Sequence, residues 1–143
     1  MKQILILMLI ISAGCNSQQS AGPEHDKTAH DQQNSGMALP LNDGKKWKAD
    51  EVTKSNVAVL AQIANDSIYQ SVDKRRQLSD EIQSRLDTLI GQCSMKGPAH
   101  DALHLWLEKI LKDVKDLKEG HGEYGVVYSA LKRDIENFYS SFE

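Results

Sequence analysis

Cysteine is scarce in this chain of 143 residues: Cys15 and Cys93 are the only two, and they lie far apart. A structural zinc site of the common kind needs Cys-x2-Cys pairs, and covalent heme attachment needs Cys-x2-Cys-His, so neither motif is present. The chain also has no large excess of charge of one sign, because 17 basic and 20 acidic residues are interspersed along it. Nucleic-acid binding requires a basic patch or stripe, so we expect no nucleic-acid partner.

Long apolar runs are equally rare, and the one from Ile4 to Ile11 is too short for a permanent transmembrane helix. It follows a lysine and precedes small residues, which is typical of a secretory signal peptide. The segment Ser12-Ala13-Gly14-Cys15 resembles the lipobox of bacterial lipoproteins, whose cysteine is acylated and becomes the first residue of the mature protein. This resemblance implies a signal peptide at residues 1–14, lipidation of Cys15 and a membrane anchor. A plain signal peptide followed by an unmodified cysteine is the alternative.

The residues around the lipobox also predict a location. Asn16 is not a typical inner-membrane retention signal, so we expect a bacterial cell-envelope protein anchored in the outer membrane and facing the periplasm. Acylation of Cys15 leaves Cys93 as the only thiol, which excludes an intramolecular disulfide. Cys93 is then buried, bonded to another chain or bound to a metal.

Composition divides the mature chain into a linker and a domain. Residues 15–36 are polar with almost no apolar side chains, so they predict a flexible, disordered tether. Residues 37–143 begin with an extended strap at 37–47, which we expect to pack on the domain. Four amphipathic segments follow, at about 48–70, 73–93, 98–120 and 123–142.

The four segments predict an all-α fold, an up-down antiparallel four-helix bundle, because they are similar in length and joined by short turns. Pro98 suits the first position of the third helix, and Gly120 suits its end. The link between the first two segments contains neither glycine nor proline. A single long bent helix over these two segments is therefore the alternative.

Site chemistry is concentrated at the turn between the second and third segments. Cys93, Met95, His100 and His104 lie within twelve residues, and the two histidines extend the apolar stripe of the third helix backwards. Their i, i+4 spacing places both imidazoles on one side of the helix. Thiolate, thioether and neutral imidazole favour copper or zinc over calcium or magnesium. We predict that these four residues bind Cu(I) or Zn(II), with Cu(I) preferred because of the Cys–Met pair.

Two other classes of function stay open. In the first, the chain is an adaptor lipoprotein that binds an unknown protein partner and no metal, with Cys93 filling the core and the histidines lining the end of the bundle. In the second, Cys93 and His100 act as nucleophile and base. No orienting third residue or oxyanion hole is recognisable in the sequence. We therefore predict that the protein is not an enzyme.

Two segments of the domain carry a further resemblance. They are Leu41-Asn42-Asp43-Gly44-Lys45-Lys46-Trp47 and Cys93-Ser-Met95-Lys-Gly97-Pro98-Ala-His100-Asp-Ala-Leu-His104-Leu-Trp106-Leu. Both resemble segments of small, largely uncharacterised lipoproteins of Bacteroidota-type bacteria. The resemblance covers the domain but not the tether. It implies a periplasm-exposed helical domain with a heavy-metal role and assigns no activity; the candidate ligands remain Cys93, Met95, His100 and His104.

Replacing Cys15 by serine tests the predicted lipid anchor, because the acyl chains would be attached at that residue. In bacterial cells we expect the wild-type chain to incorporate labelled palmitate and to fractionate with membranes. The Cys15→Ser chain should do neither, whereas a Cys93→Ser chain, as the matched control, should do both. Equal labelling of the wild-type and Cys15→Ser chains would contradict the prediction.

Overall fold

The structure is a computed structural model that describes residues 39–143. The predicted signal peptide, Cys15, the predicted tether and Met37 lie outside the described residues. The described part is all-helical with isolated bridge pairs and no strand, which confirms the predicted all-α class. No helix within residues 39–143 has the length and apolar character needed to cross a membrane.

Four long helices build the domain: α1 (Glu51–Asn65), α2 (Arg75–Gln92), α3 (Pro98–Glu119) and α4 (Tyr124–Glu136), with a one-turn helix α5 (Phe138–Ser141) after them. Helix α1 packs on α2 and α4, and α3 packs on the same two helices. Burial of their apolar faces is the main stabilising contribution. The central buried side chains are Val57, Leu60, Leu78, Ile82, Leu86, Leu89, Leu103, Trp106, Ile110, Val114, Leu117, Leu131, Ile135 and Phe138.

Both ends of α3 lie where the sequence predicts them. Pro98 occupies the first helical position, where its missing N–H leaves no hydrogen bond unmade. Gly120 ends the helix in the left-handed conformation, with φ 78°, and its N–H donates to the carbonyl of Asp116. These two residues fix the position and length of the helix that carries both candidate histidines.

Helix α1 is shorter than predicted, since it ends at Asn65 rather than near Gln70. The Asp66 side chain accepts a hydrogen bond from the Ile68 backbone N–H and so starts a separate 3-10 turn at Ser67–Gln70. A second 3-10 turn, Val72–Lys74, follows directly and leads into α2. The alternative of one long bent helix is therefore wrong.

Helix α4 is also shorter than predicted, ending at Glu136 rather than near Phe142. The chain turns at Asn137, whose side chain donates to Asp134 Oδ1 over 3.2 Å. Helix α5 then returns Phe138 and Phe142 to the core, where their rings stack with centroids 4.6 Å apart. The apolar pattern beyond residue 136 thus marks core residues in a new segment, not a continuing helix.

The strap packs on the domain as expected, from Leu39 onward. A tight turn pairs Asn42 with Lys45, and Trp47 then lies beside the last residues of the chain. The backbone N–H of Trp47 donates to the Ser141 carbonyl over 2.8 Å, and the backbone N–H of Glu143 donates to the Trp47 carbonyl over 2.9 Å. Backbone hydrogen bonds therefore hold the strap against α5.

Replacing Gly120 by alanine should destabilise the domain. A Cβ there would lie 2.2 Å from Arg75 Nη1, and φ is 78°. The Arg75 side chain can move, but left-handed backbone costs a residue with a Cβ about 1–2 kcal/mol. Urea denaturation should show a loss of that order.

Gly91→Ala in α2 is the matched control, because no atom lies within 4 Å of its new Cβ. Alanine is the better helix former, so this variant should gain up to about 1 kcal/mol. Losses of equal size in the two variants would show that the Gly120 conformation is not the cause.

Candidate metal centre

A five-residue loop, 93–97, joins α2 to α3 and carries two of the candidate ligands. Cys93 directly follows the last residue of α2, and Met95 lies two residues later; both side chains are half-buried and pack against the core. His100 lies in the first turn of α3 and is half-buried, whereas His104, one turn further on, is exposed. The loop and the start of α3 thus bring sulfur and imidazole groups to one end of the domain.

Cys93 and His100 form the contact that bears most directly on the predicted metal site. The distance from Cys93 Sγ to His100 Nδ1 is 3.7 Å. Typical Zn–S and Zn–N bonds are about 2.3 and 2.0–2.1 Å, so an ion bonded to both atoms at this separation would subtend an angle of about 115°. Such an angle is within the range of tetrahedral and trigonal coordination.

His104 contacts His100 on the other side of the ring. The two Nε2 atoms lie 2.9 Å apart, and the rings meet edge to face with centroids 4.4 Å apart. An ion bonded to both Nε2 atoms at this separation would subtend only about 90°, below the ~109° of a tetrahedral site. Because Cys93 faces Nδ1 and His104 faces Nε2, one ion cannot bind His100 through both contacts.

The expectation that both histidines extend the apolar stripe of α3 is wrong for His104, because His104 is exposed. At 100° per residue, the buried arc of α3 is centred on Leu103, Trp106 and Ile110. His100 lies near the edge of that arc, and His104 lies beyond it. The sequence places both histidines on one side of the helix correctly but assigns that side too close to the core.

His121 lies outside the cluster. It follows the C-terminal end of α3, about 30 Å from His100 at 1.5 Å per residue. Its Nδ1 lies 3.4 Å from Asp116 Oδ1, and the side chain is exposed. His121 therefore serves as a control histidine with no part in the candidate site.

Asp50, which sequence analysis missed, anchors the loop. It caps α1 through Oδ1, which accepts the Thr53 N–H over 2.7 Å. Its Oδ2 accepts the Ser94 N–H over 2.9 Å and the Ser94 hydroxyl over 2.7 Å. The spacing between Asp50 and Thr53 is a local signal for a helix cap. No local pattern predicts that Asp50 also binds Ser94, which lies 44 positions away. Asp50 thus fixes the residue next to Cys93 against the start of α1.

The same contacts determine the ionisation of Asp50. Burial opposes the charged form, but the hydrogen bonds from Ser94 and Thr53 outweigh it and hold the pKa of Asp50 well below its usual range. The carboxylate is therefore charged at neutral pH, when each of these hydrogen bonds is strongest.

The cluster offers few ligands for a metal ion. Within residues 39–143 no three His, Cys, Asp or Glu side chains are arranged so that they could hold one ion. Cys93 and His100 supply two ligands in suitable geometry, and Met95 is the nearest additional donor in sequence. An ion bound here would keep open coordination positions.

Comparisons with protein-family models, with curated proteins and with solved structures gave no significant match. The resemblance to small Bacteroidota-type lipoproteins therefore stays a prediction from the sequence motifs.

Replacing Asp50 by alanine should destabilise the domain by about 1–2 kcal/mol at pH 7, because a helix cap is lost together with the hydrogen bonds to Ser94. The folded pKa of Asp50 lies below the ordinary value of 3.8, so its stabilising contribution is present above that pH and falls as the pH drops below it. Urea denaturation at pH 7 and pH 3 should show a smaller difference between variant and wild type at pH 3.

Asp66→Ala is the control, because Asp66 caps only a short 3-10 turn. It should cost less than Asp50→Ala at pH 7. A difference between Asp50→Ala and wild type that is the same at both pH values would contradict the role assigned to the carboxylate.

Proposed function

We propose that this protein is a lipid-anchored, periplasm-facing protein that binds a soft or borderline transition metal, Cu(I) or Zn(II). The observation that carries the proposal is the 3.7 Å separation of Cys93 Sγ and His100 Nδ1. Thiolate and neutral imidazole are good ligands for both metals. The membrane attachment in this proposal comes from the lipobox-like segment that ends at Cys15.

The proposed architecture is an up-down antiparallel four-helix bundle at the end of a disordered tether, residues 15–36. Packing between successive helices, together with contact between α1 and α4, supports this topology. The short loop 93–97 is the kind of connection that joins antiparallel neighbours. In such a bundle the candidate site lies at one end and is open to solvent.

The four candidate residues take different roles in the proposed site. Cys93 is the anionic ligand, His100 binds through Nδ1, and Met95 is the optional third ligand. His104 supports His100 through the Nε2 contact, as an outer hydrogen-bonding partner commonly does for a metal-bound imidazole. A direct bond from His104 to the same ion requires a different arrangement of the two rings.

Buffering or transfer of the metal suits this ligand set better than a structural role. Structural zinc sites are closed by four protein ligands, whereas Cys93, His100 and Met95 leave room for an exchanging ligand. Cu(I) is preferred over Zn(II) because thioether and thiolate sulfur both favour the softer ion. The half-buried position of Cys93 and His100 gives a receiving protein access to the ion.

A Cys/His enzyme is the second candidate, because His104 supplies the third residue that the sequence alone does not reveal. Cys93, His100 and His104 follow one another in the order of nucleophile, base and orienting group. The surface depressions on α1 and α2, beside Ile63 and Arg85, do not include these three residues. Because neither of these depressions lies at the cluster, catalysis ranks below metal binding.

Metal titration tests the proposed function. The mature chain with Cys15→Ser is reduced and titrated with Cu(I) and with Zn(II) against competing chelators. Cys93→Ser and His100→Ala should each weaken binding by at least about 100-fold, whereas His104→Ala, which removes an outer partner, should weaken it by about 10–100-fold. His121→Ala should bind like the parent.

Equal affinities across the parent, Cys93→Ser and His100→Ala would sink the metal hypothesis and favour an adaptor. The same variants distinguish the enzyme. Rapid alkylation of Cys93 that slows in His100→Ala, without tight metal binding, would favour a nucleophilic thiol.

A further inference from the structure

Two buried carboxyl groups face each other between α3 and α4, away from the metal candidates. Asp134 of α4 is 1% exposed and Asp113 of α3 is 6% exposed. Lys109 Nζ contacts both carboxyl groups, at 2.5 Å from Asp134 Oδ2 and 4.0 Å from Asp113 Oδ2, so the two groups are neighbours. Two adjacent buried carboxylates repel each other unless cations or a proton compensate them.

Asp134 has almost all the compensating partners. Lys109 Nζ lies 2.5 Å from its Oδ2, and Arg133 Nε lies 3.1 Å from its Oδ1. The Asn137 side chain is the third donor to this carboxylate, and it lies 3.2 Å from Oδ1. Each of these contacts favours the ionised form, so Asp134 is the carboxylate of the pair.

Asp113 has few partners by comparison. Its buried Oδ2 has no hydrogen-bond partner, and the Lys109 Nζ that contacts Asp134 is 4.0 Å away. Burying an ionised carboxylate without adequate pairing is strongly unfavourable. A protonated carboxyl instead has an O–H donor, and the Asp134 carboxylate, which shares Lys109 with Asp113, is the neighbouring acceptor.

We propose that Asp113 and Asp134 form a proton-binding site, in which Asp113 takes one proton from solvent and donates it in a hydrogen bond to ionised Asp134. This hydrogen bond links α3 to α4. Loss of its proton at higher pH leaves two facing carboxylates that share Lys109. The contact between the two helices therefore strengthens in mildly acidic solution.

Electrostatics around the pair agrees with this assignment. Burial raises the pKa of Asp113 to about 6; Lys109 and Lys112 oppose the shift, and Asp134 reinforces it. For Asp134, burial acts in the opposite direction to Arg133 and Lys109, and these cations hold its pKa below the usual value. The charged groups that face Asp113 are thus Lys109 and Lys112 on α3 and Asp134 and Arg133 on α4.

The sign of the pH effect follows from this shift. The folded pKa of Asp113 is higher than the ordinary 3.8, so the folded state binds more protons between these values. The stabilising contribution is complete below pH 3.8 and is lost as the pH rises through about 6. This dependence is opposite to that of Asp50.

A carbon-13 NMR titration of the side-chain carboxyl groups in the wild-type mature chain tests the site directly. We expect the Asp113 carboxyl carbon to titrate with a midpoint near 6, well above the ordinary aspartate value of 3.8. A midpoint for Asp113 in the ordinary aspartate range would overturn the proposal. The measurement needs no variant and does not depend on any metal.

Thermal unfolding of Asp113→Asn gives a second, independent test, because asparagine keeps a donor toward Asp134 and carries no titrating charge. Relative to wild type, its melting temperature should be higher at pH 7.5, by on the order of 5 °C, and nearly equal at pH 4.5. Glu108→Gln, an exposed change on the same helix, should leave the wild-type pH dependence intact. A variant minus wild-type difference that does not change with pH would contradict the shared proton.

Discussion

The Asp50 carboxylate links two parts of the chain on which the candidate site depends. One oxygen caps the start of α1, and the other accepts two hydrogen bonds from Ser94. Ser94 is the neighbour of Cys93, so this anchor limits how far the thiol can move. Pro98 fixes the start of α3 and thereby the position of His100. The separation of Cys93 and His100 is therefore set by tertiary structure on both sides of the loop.

The proposed transfer site differs from a structural site because two of its ligands are fixed and its remaining coordination positions are open. A closed site would stabilise the fold through the metal, whereas this domain already has a continuous apolar core from α1 to α5. The proposed ion therefore adds to a folded domain and is not needed to build it. In this account loss of the metal leaves the helices in place, and a receiving protein can approach the exposed His104 side of the cluster.

Local signals in the sequence predicted much of the fold. Pro98 and Gly120 gave both ends of α3, because each has a backbone preference that acts at its own position. The ends of α1 and α4 were wrong because apolar periodicity continued into Ser67–Gln70 and α5, where the chain still buries side chains in another geometry. Periodicity thus identified buried positions better than it identified the limits of regular helix.

Long-range contacts account for what the sequence did not predict at the site. Sequence spacing predicted that Cys93, His100 and His104 lie close together. It could not show that His100 faces its two neighbours with different ring nitrogens. The partnership of Asp50 with Ser94 and that of Asp113 with Asp134 join separate helices, and no local pattern encodes them. A buried aspartate in an amphipathic helix resembles a surface residue until its neighbours are known.

X-ray absorption spectroscopy of the metal-loaded mature chain tests the central claim most directly, because it counts sulfur and nitrogen ligands around the ion. We expect at least one sulfur at about 2.3 Å together with one imidazole nitrogen at about 2.0–2.1 Å. A first shell with two imidazoles and no sulfur would place the ion between His100 and His104. That result would contradict the pairing of Cys93 with His100 as the metal ligands.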